Sequence, residues 1–104
     1  MPIKHFLLIY ELSSDYVEKR PLYRQSHLEL AWASHARDGL LLGGAFSAPY
    51  DTAALLFRAS DEVVAHNFAR NDPYVTNGIV TSRRVREWIT VVGDDASNPV
   101  RVCA

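Results

Sequence analysis

Cysteine is almost missing from this 104-residue sequence: the one present, Cys103, stands beside the C-terminus. A lone cysteine cannot close an internal disulfide, which excludes a secreted, disulfide-stapled scaffold. Long apolar runs are also lacking. Phe6 to Tyr10 is far too short to span a bilayer. The N-terminus has neither the longer apolar segment nor the small-residue cleavage site of a signal peptide, so a cytoplasmic protein without membrane attachment is expected. No charge sign dominates, and a net charge of -1 offers no general attraction to nucleic acid or anionic lipid. Gly-x-Gly-x-x-Gly, a phosphate loop and a lysine in a recognisable Schiff-base setting are all missing, which makes cofactor-free chemistry the expectation. No His-x-x-x-His or Cys/His spacing points to a metal.

What remains is the composition of one ordinary globular domain, 48% hydrophobic and 22% charged. Ile3 to Leu12 reads as a strand apolar on both faces, with Ile3, Leu7 and Ile9 on one and Phe6, Leu8, Tyr10 and Leu12 on the other. Ser13-Ser14-Asp15 ends it as a turn or helix start. A helix follows to Arg37, with Pro21 expected in its first turn and Gly39 as its stop. Tyr23, His27, Leu30, Ala31 and Ser34 share one side of it, and Leu28, Trp32 and His35 a neighbouring side. Leu40 to Ser47 reads as a strand bulged at Gly43-Gly44, and Thr52 to Ala59 as its hairpin partner. Ser60 is placed to cap a second helix, whose buried stripe holds Val64, Ala65 and Phe68. That helix must stop at Asp72-Pro73, because proline pushes the residue before it into extended conformations. Ile79 to Val92 is the last expected strand, with Val80, Trp88 and Val92 opposite Val85, Ile89 and Val91. Residues 1–93 then form one domain, and 94–104 a tail ordered only by docking.

The order β-α-β-β-α-β is that of a ferredoxin-like α+β domain with a four-stranded antiparallel sheet. Two helices cover one sheet face only, yet the first and last strands are apolar on both. A second copy packed sheet to sheet would bury the remaining face, so a homodimer is expected. RNA-recognition domains share this element order, but Ala53 to Ala59 lacks their glycine-aromatic signature, and no nucleic-acid partner is expected. Arg83, Arg84 and Arg86 read as solubilising charge on an edge strand.

Four histidines are available for chemistry. His5 and His66 suit structural or solvated roles. His27 and His35 are about 12 Å apart along one helix, too far to share an ion. His27 follows Arg24 by one turn among apolar neighbours. It serves either as a core-edge histidine bonded to a carbonyl, or as a general base oriented by a carboxylate. Asp72, held at a forced helix break, is the candidate partner, and sequence spacing leaves the contact open. Arg24 either binds a carboxylate or phenolate or pairs with Glu18 or Glu29. Tyr74 either lines a cleft or staples the turn.

Arg24-Gln25-Ser26-His27-Leu28, Gly39 to Ala45, Asp72-Pro73-Tyr74-Val75 with Gly78-Ile79-Val80, and Val85-Arg86-Glu87-Trp88 with Val91-Val92-Gly93 resemble the YciI-like (YCII-related) family, in register to about Gly93. The resemblance implies a ferredoxin-like fold in a dimeric α+β barrel, with a cleft whose paired histidine and aspartate match His27 and Asp72. Ser47 and Ala48 depart from it, standing where an acidic residue often precedes the proline. The activity it implies is elimination on a chlorinated, hydroxylated aromatic. The expectation for this chain is broader. It is a lyase or isomerase using His27 and Asp72, with Arg24 and Tyr74 binding a small, aromatic or carboxylated substrate. A non-catalytic ligand-binding module of the same fold is the alternative.

Overall fold

The computed structural model describes residues 2–102, and Cys103 lies outside them. The chain folds as β1 (Lys4–Leu12), α1 (Tyr16–Arg37), β2 (Leu40–Ala45), β3 (Thr52–Ala59), α2 (Val63–Asn71), the single turn α3 (Pro73–Thr76) and β4 (Val80–Trp88). The strands form one antiparallel sheet in the order β2-β3-β1-β4, the ferredoxin-like α+β arrangement.

Alternation along β1 decides which face receives the helices. Phe6, Leu8 and Tyr10 are fully buried, and Leu55 and Phe57 of β3 lie on the same side. Ala65, Phe68 and Ala69 of α2 close this core, with the rings of Phe57 and Phe68 edge to face at 5.6 Å. The opposite face carries no helix. Its cross-strand rows are Leu42, Leu56, Leu7 and Arg86, then Gly44, Ala54, Ile9 and Arg84. Leu42 is 72% exposed and Trp88, farther along that face beside His5, 49% exposed.

Several local expectations are corrected. Pro21 lies inside α1, not in its first turn, because the helix starts at Tyr16 after the Asp15 cap. Its missing N–H leaves the Val17 carbonyl without a helical donor, tolerable because Val17 is exposed to water. The bulge in β2 falls at Leu41 rather than at Gly43-Gly44. Beside the bulge, the Leu40 carbonyl accepts from His35 Nδ1 at 2.6 Å. Ser60 does not cap α2: the N-cap is Glu62, and Asp61 just before it accepts from the Val63 amide at 2.9 Å.

The last strand is shorter than expected and partly turned over. A register shift at Glu11/Leu12 sets Val80 opposite Leu12, so Val80 is buried on the core side rather than opposite Val85. The strand stops at Trp88, since its partner β1 ends opposite it near Lys4. Residues 89–92 instead receive the chain end, which folds back with Asn98 N–H on the Thr90 carbonyl and Val100 N–H on that of Val91, each at 2.9 Å. His5 Nδ1 meets Thr90 Oγ1 at 2.6 Å and ties this segment to β1.

Gly39 joins α1 to β2 at φ +81°, and a Cβ there would lie 2.2 Å from the Arg58 carbonyl oxygen. That carbonyl belongs to backbone that cannot move aside, since Arg58 N–H also bonds the Gly39 carbonyl at 2.8 Å. Gly39→Ala is expected to lower stability by roughly 2 kcal/mol or more in urea denaturation, combining left-handed strain with the clash. A change below about 0.5 kcal/mol would show that the junction relaxes freely.

Candidate active site

Proline at position 73 does two things to its neighbour. It starts α3 and holds Asp72 extended, with φ -74° and ψ 121°, between α2 and α3. The carboxylate thereby leaves the helix direction and turns inward, where Asp72 is 0% exposed. A buried carboxylate is tolerated only when its oxygens are satisfied. Three donors do this here. Tyr74 N–H caps Oδ1 at 3.0 Å, His27 Nδ1 meets Oδ1 at 2.7 Å, and the Tyr10 hydroxyl donates to Oδ2 at 2.8 Å. The donors come from α3, α1 and β1, so one side chain ties both helical segments to the sheet.

This arrangement fixes the His27 tautomer. Nδ1 carries the proton donated to Asp72, leaving the Nε2 lone pair free. The imidazole is also held flat. It stacks on the Tyr74 ring at 3.8 Å with an interplanar angle of 7°, and Phe68 meets it edge-on at 6.4 Å. Tyr74 in turn takes Tyr16 edge-on at 5.8 Å. A ring fixed by one hydrogen bond and two aromatic neighbours has little freedom to rotate.

His27 borders a cleft of about 490 Å³ between α1 and the β2 side of the sheet. Tyr10, Arg24 and Tyr74 line it as well, so it brings all four residues singled out in the sequence together, Asp72 standing just behind His27. Arg24 makes no ion pair among the described residues. Glu29 accepts from Gln25 instead, and the carboxylate of Glu18 is likewise absent from the pairs formed. Tyr74 both lines the cleft and packs the turn. His35 and Trp32 border the far end, while His5 lies on the other sheet face and His66 pairs with Glu62 on the surface. Among the described residues, no three histidine, cysteine or acidic side chains cluster as metal ligands, and no helix is long and apolar enough to cross a membrane.

Tyr10 and Arg20 escaped sequence reasoning. Tyr10 is indistinguishable from any core aromatic on an alternating strand; only its register, opposite Arg83 and Ala53, aims the hydroxyl at Asp72. Arg20 had a usable signal: it precedes Arg24 by four residues and so shares its helix face.

An α+β domain with a histidine and a buried aspartate at a helix-flanked cleft is the class that fold and geometry define. Comparison with known proteins places it more closely. The family model of the YCII-related domain matches residues 3–89, and the chain belongs to that family. Among solved structures, it is similar to 5-chloro-2-hydroxyhydroquinone dehydrochlorinase (TftG) from Burkholderia phenoliruptrix, solved in complex with 2,5-dihydroxybenzoquinone. That similarity has a TM-score of 0.69 at 19% identity, over 83% of this chain and 94% of the other. It is also similar to a NIPSNAP family protein from Agrobacterium tumefaciens, with a TM-score of 0.58 at 11% identity, over 95% of this chain and 99% of the other. At such identities the likeness is one of fold. No curated protein matches the sequence.

Two phenols in the site have altered proton affinity. Burial first, then the charge and hydrogen bond of Asp72, push the Tyr10 hydroxyl far above the ordinary phenol range. Burial and Tyr16 push Tyr74 from 10.0 up to about 12, against an opposing pull from Arg24 and Arg20. Both pKa values are raised in the folded state, so the stability they contribute is complete below the unfolded value. It is lost as pH rises from there through the folded values. Phenolate absorbance of wild type minus Tyr74→Phe is expected to show a step near pH 12, and that of wild type minus Tyr10→Phe a step only as the protein unfolds. A Tyr74 step centred at the ordinary phenol value would contradict its enclosure.

Proposed function

We propose that the cleft is the active site of a small-molecule lyase or isomerase in which His27 Nε2 moves a proton on the substrate. The observation that carries this reading is the buried Asp72 carboxylate on His27 Nδ1. A carboxylate in that place fixes the tautomer, raises the basicity of the far nitrogen and stabilises the imidazolium that forms on proton transfer. Tyr10 holds the second carboxylate oxygen, so Asp72 cannot swing away as the imidazole gains charge. The base takes a proton from a carbon or hydroxyl of the substrate. The resulting imidazolium returns it to a leaving group or to a second carbon, giving elimination or isomerisation.

Arg24 and the mainly apolar walls suit a small planar substrate bearing an acidic group, and Tyr74 closes the floor beside His27. In this reading the step requires no cofactor. Residues 1–93 form the functional unit, and nothing described beyond Gly93 reaches the cleft. TftG, as a dehydrochlorinase of a hydroxylated aromatic, makes such compounds the first to try, although fold likeness does not carry its substrate over.

The helix-free sheet face supports a homodimer. Leu7, Ile9, Leu42, Leu56 and Trp88 lie on it, too large an apolar area for a soluble monomer to leave open. Light scattering on the eluted protein is expected to give twice the chain mass; a stable monomer at micromolar concentration would remove the sheet-to-sheet packing.

Against a panel of hydroxylated aromatics and lactones, His27→Ala and Asp72→Asn are expected to stay folded and to lose about 10²–10⁴-fold in turnover. Undiminished turnover in both variants would rule the proton-transfer role out. Saturable binding without turnover in wild type would assign the cleft to a ligand-binding module instead.

A further inference from the structure

Arg20 borders the cleft, and the proton-transfer reading leaves it unused. It stands four residues before Arg24 and seven before His27, so the three share one face of α1. From the helical rise, Arg20 lies about 6 Å beyond Arg24 and about 10 Å from His27 along the axis. Its guanidinium lies against a pair of aromatic rings, 5.4 Å from the centroid of Tyr16 and 5.5 Å from that of Tyr50. Those rings stack on each other at 6.5 Å, joining the start of α1 to the loop before β3. Both border the same cleft as His27.

Two features separate this from an ordinary surface arginine. First, neither Arg20 nor Arg24 forms an ion pair with a carboxylate among the described residues. Second, the contacts recorded for the Arg20 guanidinium are with aromatic rings, and none of its five N–H donors is engaged by a carboxylate among the described residues. A half-buried arginine without an ion pair at an apolar cleft is placed to receive an anion. Its planar fork matches a carboxylate in bidentate geometry, and water exclusion by the flanking rings strengthens the pair. The two guanidiniums also act on the Tyr74 phenol, which stacks on His27, opposing the upward displacement of its proton affinity.

We infer that Arg20, resting against Tyr16 and Tyr50, reads a carboxylate of the substrate, making the preferred ligand a planar carboxylic acid rather than a neutral phenol. The inference rests on the cleft being the substrate site, as proposed above. It adds a specificity residue about one ring's breadth beyond Arg24. Arg24 then faces the oxygen nearer the reacting atom, and Arg20 the acidic group at the far end. Arg20 touches the substrate but takes no part in proton transfer.

The test compares two probes that differ only in the carboxylate, 2,5-dihydroxybenzoate and 1,4-dihydroxybenzene, by titration calorimetry on the full chain. Wild type is expected to bind the acid at least about tenfold more tightly than the neutral ring, a preference that shrinks with added salt. Arg20→Gln is expected to reduce the preference at least about fivefold while leaving affinity for the neutral ring unchanged. Arg20→Lys, which keeps the charge but loses the fork, falls between. Equal wild-type affinity for the two probes, no binding of either, or full preference in Arg20→Gln would overturn the inference. Should Arg20→Gln not fold, the salt dependence in wild type and the Arg20→Lys result decide. The readout requires no turnover. Carboxylate preference lost with Arg20 but accompanied by inert His27 chemistry would sink the catalytic proposal alone, whereas turnover without that preference would sink this one alone.

Discussion

Everything in the cleft hangs on one buried carboxylate. Asp72 has no contact with solvent and is satisfied by a backbone amide of α3, an imidazole of α1 and a hydroxyl of β1. Removing any donor leaves a buried oxygen short of a partner, a defect worth about 1–3 kcal/mol and more for a charged group. The same three bonds tie α1 and α3 to the sheet and decide which nitrogen of His27 carries the proton. Stability and chemistry therefore depend on the same atoms.

The aromatic residues extend that constraint outward. Tyr74 lies flat on His27, Tyr16 meets Tyr74 edge-on, Tyr50 stacks on Tyr16, and the Arg20 guanidinium completes the series. Rigid rings with few rotatable bonds lose little entropy on ordering. They carry orientation from the buried aspartate to the mouth of the cleft with few flexible links. The result is a site with two arginines toward the start of α1, mainly apolar walls, and a buried carboxylate behind His27.

Periodicity sufficed for the architecture. The two-faced β1, the long α1 ended at Gly39, the β2–β3 hairpin and the break at Asp72-Pro73 all follow from local patterns, and the sheet order they imply is the one observed. The errors lie where an irregularity breaks a regular pattern. Pro21 sits inside α1 because the helix starts as early as Tyr16, β2 bulges at Leu41, and the β1 register turns Val80 inward. A one-residue shift inverts every following side chain, so strict alternation fails beyond the first irregularity.

At the site the division is equally physical. The sequence by itself determined that Asp72 leaves its helix, because proline restricts the preceding residue wherever it occurs. It also determined that Arg20, Arg24 and His27 share a face of α1, because helical spacing is local. Only the tertiary structure decided that Asp72 meets His27 across 45 residues and Tyr10 across 62. Those contacts depend on how α1 crosses the sheet and on the register of β1. Packing sets both, through the summed burial of residues far from the site, and no short stretch of chain encodes them.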